Sequence, residues 1–243
     1  MLARLALVAS LLTLTSAFAS AQSPIDIAWN DCAGSVGAQD LITSACNSNA
    51  GSQVMVASFR APFALDALVG TTTTIDVFSS SPVMPDWWRG ETGGCRAGAF
   101  TSIDPANTAG AFGCNNPFAA SALFAGLVVV KPNQFGQAYR TRLIVDAVGS
   151  DPSPPIPAET WAVAGALEIR NVRTTGAGTC GGCSEIVCAL IQRVDLYQVT
   201  GTLPYDTWPL DNSYNPEYVH WQGICIPVPT RSTTWGKVKA TYR

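Results

Sequence analysis

The chain is poor in histidine, in charge and in long apolar runs, and each shortage removes a class of function. It holds one histidine, His220, in 243 residues. A Ser-His-Asp or Cys-His centre would have to use that residue, which lies in Tyr218-Val219-His220-Trp221 with no G-x-S-x-G elbow elsewhere. Zinc hydrolases of the H-E-x-x-H kind need at least two histidines, so they are excluded. Charged residues make up 13% of the chain, against roughly 25% in most soluble domains. The net charge is −3, and no run of Lys or Arg offers the clustered positive charge that nucleic acid or an anionic membrane surface demands. Neither is an expected partner, and no cofactor or metal is expected.

The longest apolar run is N-terminal. Residues 1–21 carry Arg4, an apolar stretch from Leu5 to Leu14, and Ala19-Ser20-Ala21 before Gln22, the layout of a cleaved secretory signal peptide. The stretch is short of the roughly 20 apolar residues of a membrane span. The first cysteine, Cys32, is far from the cleavage point, which argues against a lipid anchor there. The expected mature chain is residues 22–243, secreted to the periplasm or the exterior and folded as one domain.

What the chain does have is period-two alternation. From Tyr139 to Ala147, Tyr139, Thr141, Leu143, Val145 and Ala147 alternate with Arg140, Arg142 and Asp146, as in a half-buried strand, with Ile144 as the exception on the outer face. Leu190, Val194 and Leu196 oppose Arg193, Asp195 and Tyr197 in the same way, although Gln192 then falls inside. Residues 53–59, 72–78, 123–130 and 161–172 read as further strands, and clusters of Gly, Pro, Asn and Ser separate them. The prolines of Asp151–Pro157 are read as a loop within the domain rather than as a linker. A short helix is expected at the end of the chain, capped by Thr233 or Thr234 and carrying Trp235, Val238 and Tyr242 on one face. The predicted fold is an all-β antiparallel two-layer sandwich, jelly-roll or immunoglobulin-like, with that short C-terminal helix.

An exported chain with eight cysteines reads as a framework of four disulfides, made from Cys32, Cys46, Cys95, Cys114, Cys180, Cys183, Cys188 and Cys225. Proximity in sequence pairs Cys32 with Cys46 and Cys95 with Cys114, and leaves Cys180, Cys183, Cys188 and Cys225 to pair among themselves. Cys180-Gly181-Gly182-Cys183 also has the C-x-x-C spacing of a redox dithiol, and the last four cysteines could close a four-thiolate zinc site. Two structural disulfides are the expected use.

Aromatic residues are the expected binding groups. Trp87 and Trp88 sit in Met84-Pro85-Asp86-Trp87-Trp88-Arg89-Gly90, and Tyr205, Trp208, Tyr214, Tyr218, Trp221 and Trp235 crowd the C-terminal part. Exposed, their rings would be platforms for sugars, with Trp87, Trp88, Tyr214 and Trp221 as the candidate contacts; packing in the core or over its ends is the favoured reading. Asp211-Asn212-Ser213-Tyr214-Asn215-Pro216-Glu217 alternates oxygen-bearing side chains like the start of a calcium loop, but Pro216 and Gln222 stand where an EF-hand needs glycine and glutamate. A turn is the better reading.

Trp221-Gln222-Gly223, Cys225 and Thr234–Arg243, with Cys180–Cys183 and Val187-Cys188, resemble a group of uncharacterised secreted, cysteine-rich bacterial proteins, and the resemblance extends from Trp29-Asn30-Asp31-Cys32 onward. It implies export and a shared fold, and no activity. The expected function is a non-catalytic secreted binding or surface-associated module, with a carbohydrate or another surface protein as partner. The alternatives are a self-assembling extracellular structural protein and a glycoside hydrolase using paired carboxylates.

Overall fold

The computed structural model describes residues 23–104, 112–119, 122–202, 207–211 and 218–225. The expected signal peptide, the C-terminal helix, Tyr205, Tyr214, Trp235 and the turn over residues 212–217 lie outside them. Among the described residues, β-branched and aromatic runs form β1 (Ile25–Trp29), β2 (Leu41–Ile42), β3 (Ser52–Phe59), β4 (Leu68–Ser79), β5 (Phe100–Ile103) and β6 (Leu123–Val130). They continue with β7 (Arg140–Gly149), β8 (Ala162–Arg170), β9 (Val187–Gln198), β10 (Thr207–Asp211) and β11 (Tyr218–Trp221).

Four strands pair in the order β1-β3-β8-β5, and the others form a larger sheet in the order β2-β11-β9-β4-β7-β6, with β10 also on β9. The pairing is antiparallel throughout except between β2 and β11. The architecture is the all-β two-layer sandwich that the alternation implies. Its inner faces share one apolar cluster, in which Ile25, Met55, Phe59 and Leu167 of the smaller sheet meet Ile75, Leu143, Val194 and Leu196 of the larger. Removing each such side chain from water contributes about 1.5–3 kcal/mol.

Strand β7 alternates residue by residue. Thr141, Leu143, Val145 and Ala147 are buried, and Arg140, Arg142 and Ile144 turn outward. On that outer face Arg140 and Arg142 converge on the buried carboxylate of Asp76 in β4. Its hydrogen bond holds the Arg142 guanidinium above its ordinary value.

In β9 the expected phase needs a correction. Thr74 of β4 faces Arg193, but Ile75 faces Ile191, so a bulge skips Gln192 and shifts the inward set by one residue. Ile191 is fully buried and Leu190 only half-buried. Val187, Ala189 and Ile191 point inward before the bulge, and Val194 and Leu196 after it. Gln192 is therefore not an inward polar residue. The proline-containing loop packs in the domain: Ile156 donates to and accepts from the backbone of Leu65, and Ser153 N donates to Leu68 O at 2.7 Å.

All eight cysteines are bonded, as Cys32–Cys114, Cys46–Cys183, Cys95–Cys180 and Cys188–Cys225. The local pairs Cys32 with Cys46 and Cys95 with Cys114 are thereby corrected. After Cys32 the chain leaves the smaller sheet, and β2 joins the far edge of the larger one beside β11, which carries Cys46 away from Cys32. Three of the bonds span 82, 137 and 85 residues. Loop-closure entropy makes each of these worth about 4 kcal/mol, more than a short staple would give.

Cys180 and Cys183 are tied to different partners, which removes both the redox dithiol and the four-thiolate zinc reading. The glycines between them serve packing. Gly181 O accepts from Trp87 N at 2.8 Å, and a Cβ on Gly182, whose φ is +93°, would lie 2.4 Å from Pro85 Cβ.

Candidate functional site: a cleft beside Trp161

The tryptophans expected to meet a sugar are in the core. Trp87 and Trp88 form a 3-10 turn (Asp86–Trp88) that dips between the sheets, and both are buried, as is Trp221 at the end of β11. Trp87 stacks on Trp221 at 4.8 Å between ring centres, and Trp88 meets Trp221 edge-on at 5.6 Å. The Trp29 ring centre lies 6.1 Å from that of Trp221. The indole N–H of Trp87 donates to Thr174 Oγ1 at 2.9 Å, and that of Trp221 to Cys183 O at 2.6 Å. A sugar platform needs an indole face open to water, and none of the three has one; this corrects Trp87, Trp88 and Trp221 as contacts.

Arg96 completes this cluster. It is 1% exposed, with its guanidinium carbon 3.6 Å from the Trp87 ring centre. Burial pulls the guanidinium down to about 9. Its Nε donates to Val172 O at 3.0 Å and its Nη1 to Trp87 O at 2.8 Å, while Nη2 donates to Arg170 O. These acceptors and the indole face compensate for the lost water.

A different tryptophan faces a concavity. Trp161, immediately before β8, is half-buried and lines an open cleft of about 640 Å³ with Asp31, Ser35, Asn115 and Thr160. The cleft lies over the outer face of the smaller sheet, where Cys32, Val56 and Val163 form a small second apolar cluster. Its walls are the turn after β1 and the segment around Gly113–Asn115. The second wall runs beside the start of β8, since Asn115 N donates to Trp161 O at 3.1 Å and Val163 N to Asn115 O at 2.9 Å.

Two adjacent links join the walls. Cys32 is bonded to Cys114, and Asp31 Oδ1 accepts from Gly113 N at 2.7 Å. The same Oδ1 accepts from Cys32 N at 2.7 Å. Close approach demands glycine here: a Cβ on Gly113 would lie 2.3 Å from Ser35 Oγ, and one on Gly37 would lie 2.9 Å from Asp31 Oδ2. Arg60, paired with Glu159 at 3.3 Å, sits 5.3 Å from the Trp161 ring centre. The sequence signal for this site was a tryptophan at a strand entrance beside the polar Glu159-Thr160, where an end-of-strand ring can face solvent.

A smaller concavity, about 250 Å³, is lined by Met84, Arg89, Glu91 and Lys131. Glu91 is buried, with Oε1 accepting from Arg89 Nε at 3.1 Å. Asp31 in one concavity and Glu91 in the other are the carboxylates among the described lining residues, so neither brings two acids together.

His220 lies on the other side of the sandwich, on the outer face of the larger sheet opposite Cys188. It stacks with Tyr218, and its Nδ1 accepts from Cys225 N at 3.3 Å.

No family model and no curated protein matches the chain. Among solved structures, it is similar to the one described as "AvmM Catalyzes Macrocyclization in Alchivemycin A Biosynthesis", with a TM-score of 0.32 and 11% identity over 79% of this chain and 92% of that chain. So distant a likeness carries no argument about function.

Proposed function

We propose that the protein is a secreted, non-catalytic β-sandwich that binds a carbohydrate in the Trp161 cleft. The observation that carries the reading is one half-exposed indole sharing an open cleft with a carboxylate, an amide and two hydroxyl side chains. An indole face takes the apolar C–H face of a sugar ring, and carboxylate and amide groups take its hydroxyls. Asp31 Oδ2 and the side chains of Asn115 and Thr160 would make those bonds. With one acid lining the cleft, binding fits better than paired-carboxylate hydrolysis, which needs a second carboxyl roughly 5–10 Å away. Four disulfides agree with an oxidising compartment, and no helix among the described residues is long and apolar enough to cross a membrane.

Affinity electrophoresis through gels cast with a panel of soluble polysaccharides tests this. At least one glycan should retard the wild type, and W161A should run unretarded in the same gel. Equal retardation of a folded W161A protein would remove the assignment.

A second reading, self-association, has its own observation. Phe124, Val128 and Val148 form an exposed apolar strip on the outer face of β6 and β7. Sedimentation over a concentration series should show dimer formation that F124S abolishes; a concentration-independent monomer sinks it.

A further inference from the structure

We propose that Cys188, Cys225 and His220 form a three-ligand site for zinc when the Cys188–Cys225 bond is reduced. Sγ of each cysteine and a ring nitrogen of His220 lie within 4.8 Å of one another. His220 and Cys188 are directly opposed on β11 and β9, so the sheet fixes two ligands before any metal arrives. Cys188 Sγ is 3.8 Å from His220 Nδ1. Zinc–sulfur and zinc–nitrogen bonds of about 2.3 and 2.0 Å place two tetrahedral ligands about 3.6 Å apart, so this pair needs almost no adjustment.

The third ligand is delivered by an anchored turn. Gln222, at φ +64°, takes the chain back over the sheet, with its N–H donating to Ile42 O at 2.9 Å and its side-chain amide to Ser44 O at 2.8 Å. Cys225 thus returns over the outer face and covers Cys188, which is 4% exposed.

The redox step balances simply. A dithiol reductant is oxidised to its disulfide as the Cys188–Cys225 bond takes up two electrons and two protons. Zinc then displaces both thiol protons, and His220 Nδ1 exchanges its hydrogen bond from Cys225 N–H for the metal. Two thiolates and a neutral imidazole give zinc a site of zero net charge, which suits a half-buried position. Soft sulfur ligands favour zinc over calcium or magnesium. The fourth position stays open to water. Bound zinc would restore the link between β9 and the chain beyond β11 that reduction breaks.

The test uses the full chain, purified oxidised and confirmed folded, then treated with limiting phosphine, which becomes its oxide with the oxygen of one water, until alkylation and peptide mapping of an aliquot show the Cys188–Cys225 bond open and the other three disulfides closed. Zinc is titrated in and bound equivalents are counted by native mass spectrometry, for wild type, for the Cys188→Ser/Cys225→Ser double variant and for H220A. The expected result is one zinc equivalent fewer in the double variant and at least tenfold weaker binding of that equivalent in H220A. The other three disulfides stay closed in all three proteins, so the fold is kept and their six cysteines hold no zinc. The inference is overturned if the reduced wild type takes up no zinc, if the double variant binds as many equivalents, or if H220A binds as tightly. H220A keeps the disulfide, so its folding before reduction is checked independently of the double variant.

Discussion

Around Trp87 the chain packs four indoles, Phe100 and a buried guanidinium against one another, whereas around Trp161 a single indole lies open beside a carboxylate. The two places use the same side chain under different constraints. The first lies between the sheets, where an N–H or guanidinium without an acceptor is costly; Trp29, Trp87, Trp221 and Arg96 find theirs in backbone carbonyls and Thr174, while the buried Nε1 of Trp88 has none among the described residues. The second lies outside the smaller sheet, on walls held by one disulfide and one carboxylate. Aromatic density thus marks a packing centre here, and isolation marks an open cleft. The contrast makes distinct predictions about what each residue controls.

The largest effect is expected in the buried cluster. W87A should lower unfolding free energy in urea by about 4 kcal/mol, the usual cost of truncating a packed aromatic. R96M should follow at about 3 kcal/mol, because carbonyls of Trp87, Arg170 and Val172 lose their donor. If either variant unfolds at the wild-type urea midpoint, the cluster is not the packing centre described. Cys32→Ser with Cys114→Ser should cost about 4 kcal/mol. That pair should also abolish glycan retardation, since the same bond joins the two cleft walls.

W161A sharpens the contrast from the other side. It should weaken glycan binding by about 2 kcal/mol while changing stability by less than about 1 kcal/mol. A stability loss as large as that of W87A would place Trp161 in the core and end the distinction. D31N should be the mildest, weakening binding by about 1 kcal/mol in calorimetric titration, because the amide oxygen still accepts from Gly113 N while the charge is lost.

Much of the sandwich was legible because strands that bury one face write their phase into the sequence. β7 is the clear case, down to Ile144 on the outside. β9 was misread locally because a bulge changes phase without a residue type of its own, although Gln192 in an apparently inward position was its trace. The disulfides were misread for a different reason. Sequence distance between cysteines stops tracking spatial distance once β2 crosses to the other sheet, and only strand order contains that information. Trp87-Trp88 remained a candidate contact because Pro85, Asp86, Arg89 and Gly90 are turn residues; the turn is real, but it points inward, as the favoured core reading of the aromatics has it. Trp161 carried no such conspicuous context. Its exposure depends on the turn after β1 and the Gly113 segment meeting across the smaller sheet, a long-range fact.

The disulfide connectivity bears on how the protein withstands proteolysis. The spans Cys32–Cys114, Cys46–Cys183 and Cys95–Cys180 overlap, so a single backbone cut anywhere from Cys32 to Cys183 leaves both pieces covalently attached. A cut between Cys188 and Cys225 is bridged in the same way. Within the disulfide framework, the short stretch between Cys183 and Cys188 is the one place where a single cleavage would divide the protein into two covalent parts, and it leads directly into β9 at the centre of the larger sheet. A molecule nicked within the bridged spans would therefore migrate intact on a non-reducing gel and fall apart only after reduction, whereas one nicked between Cys183 and Cys188 would separate on both.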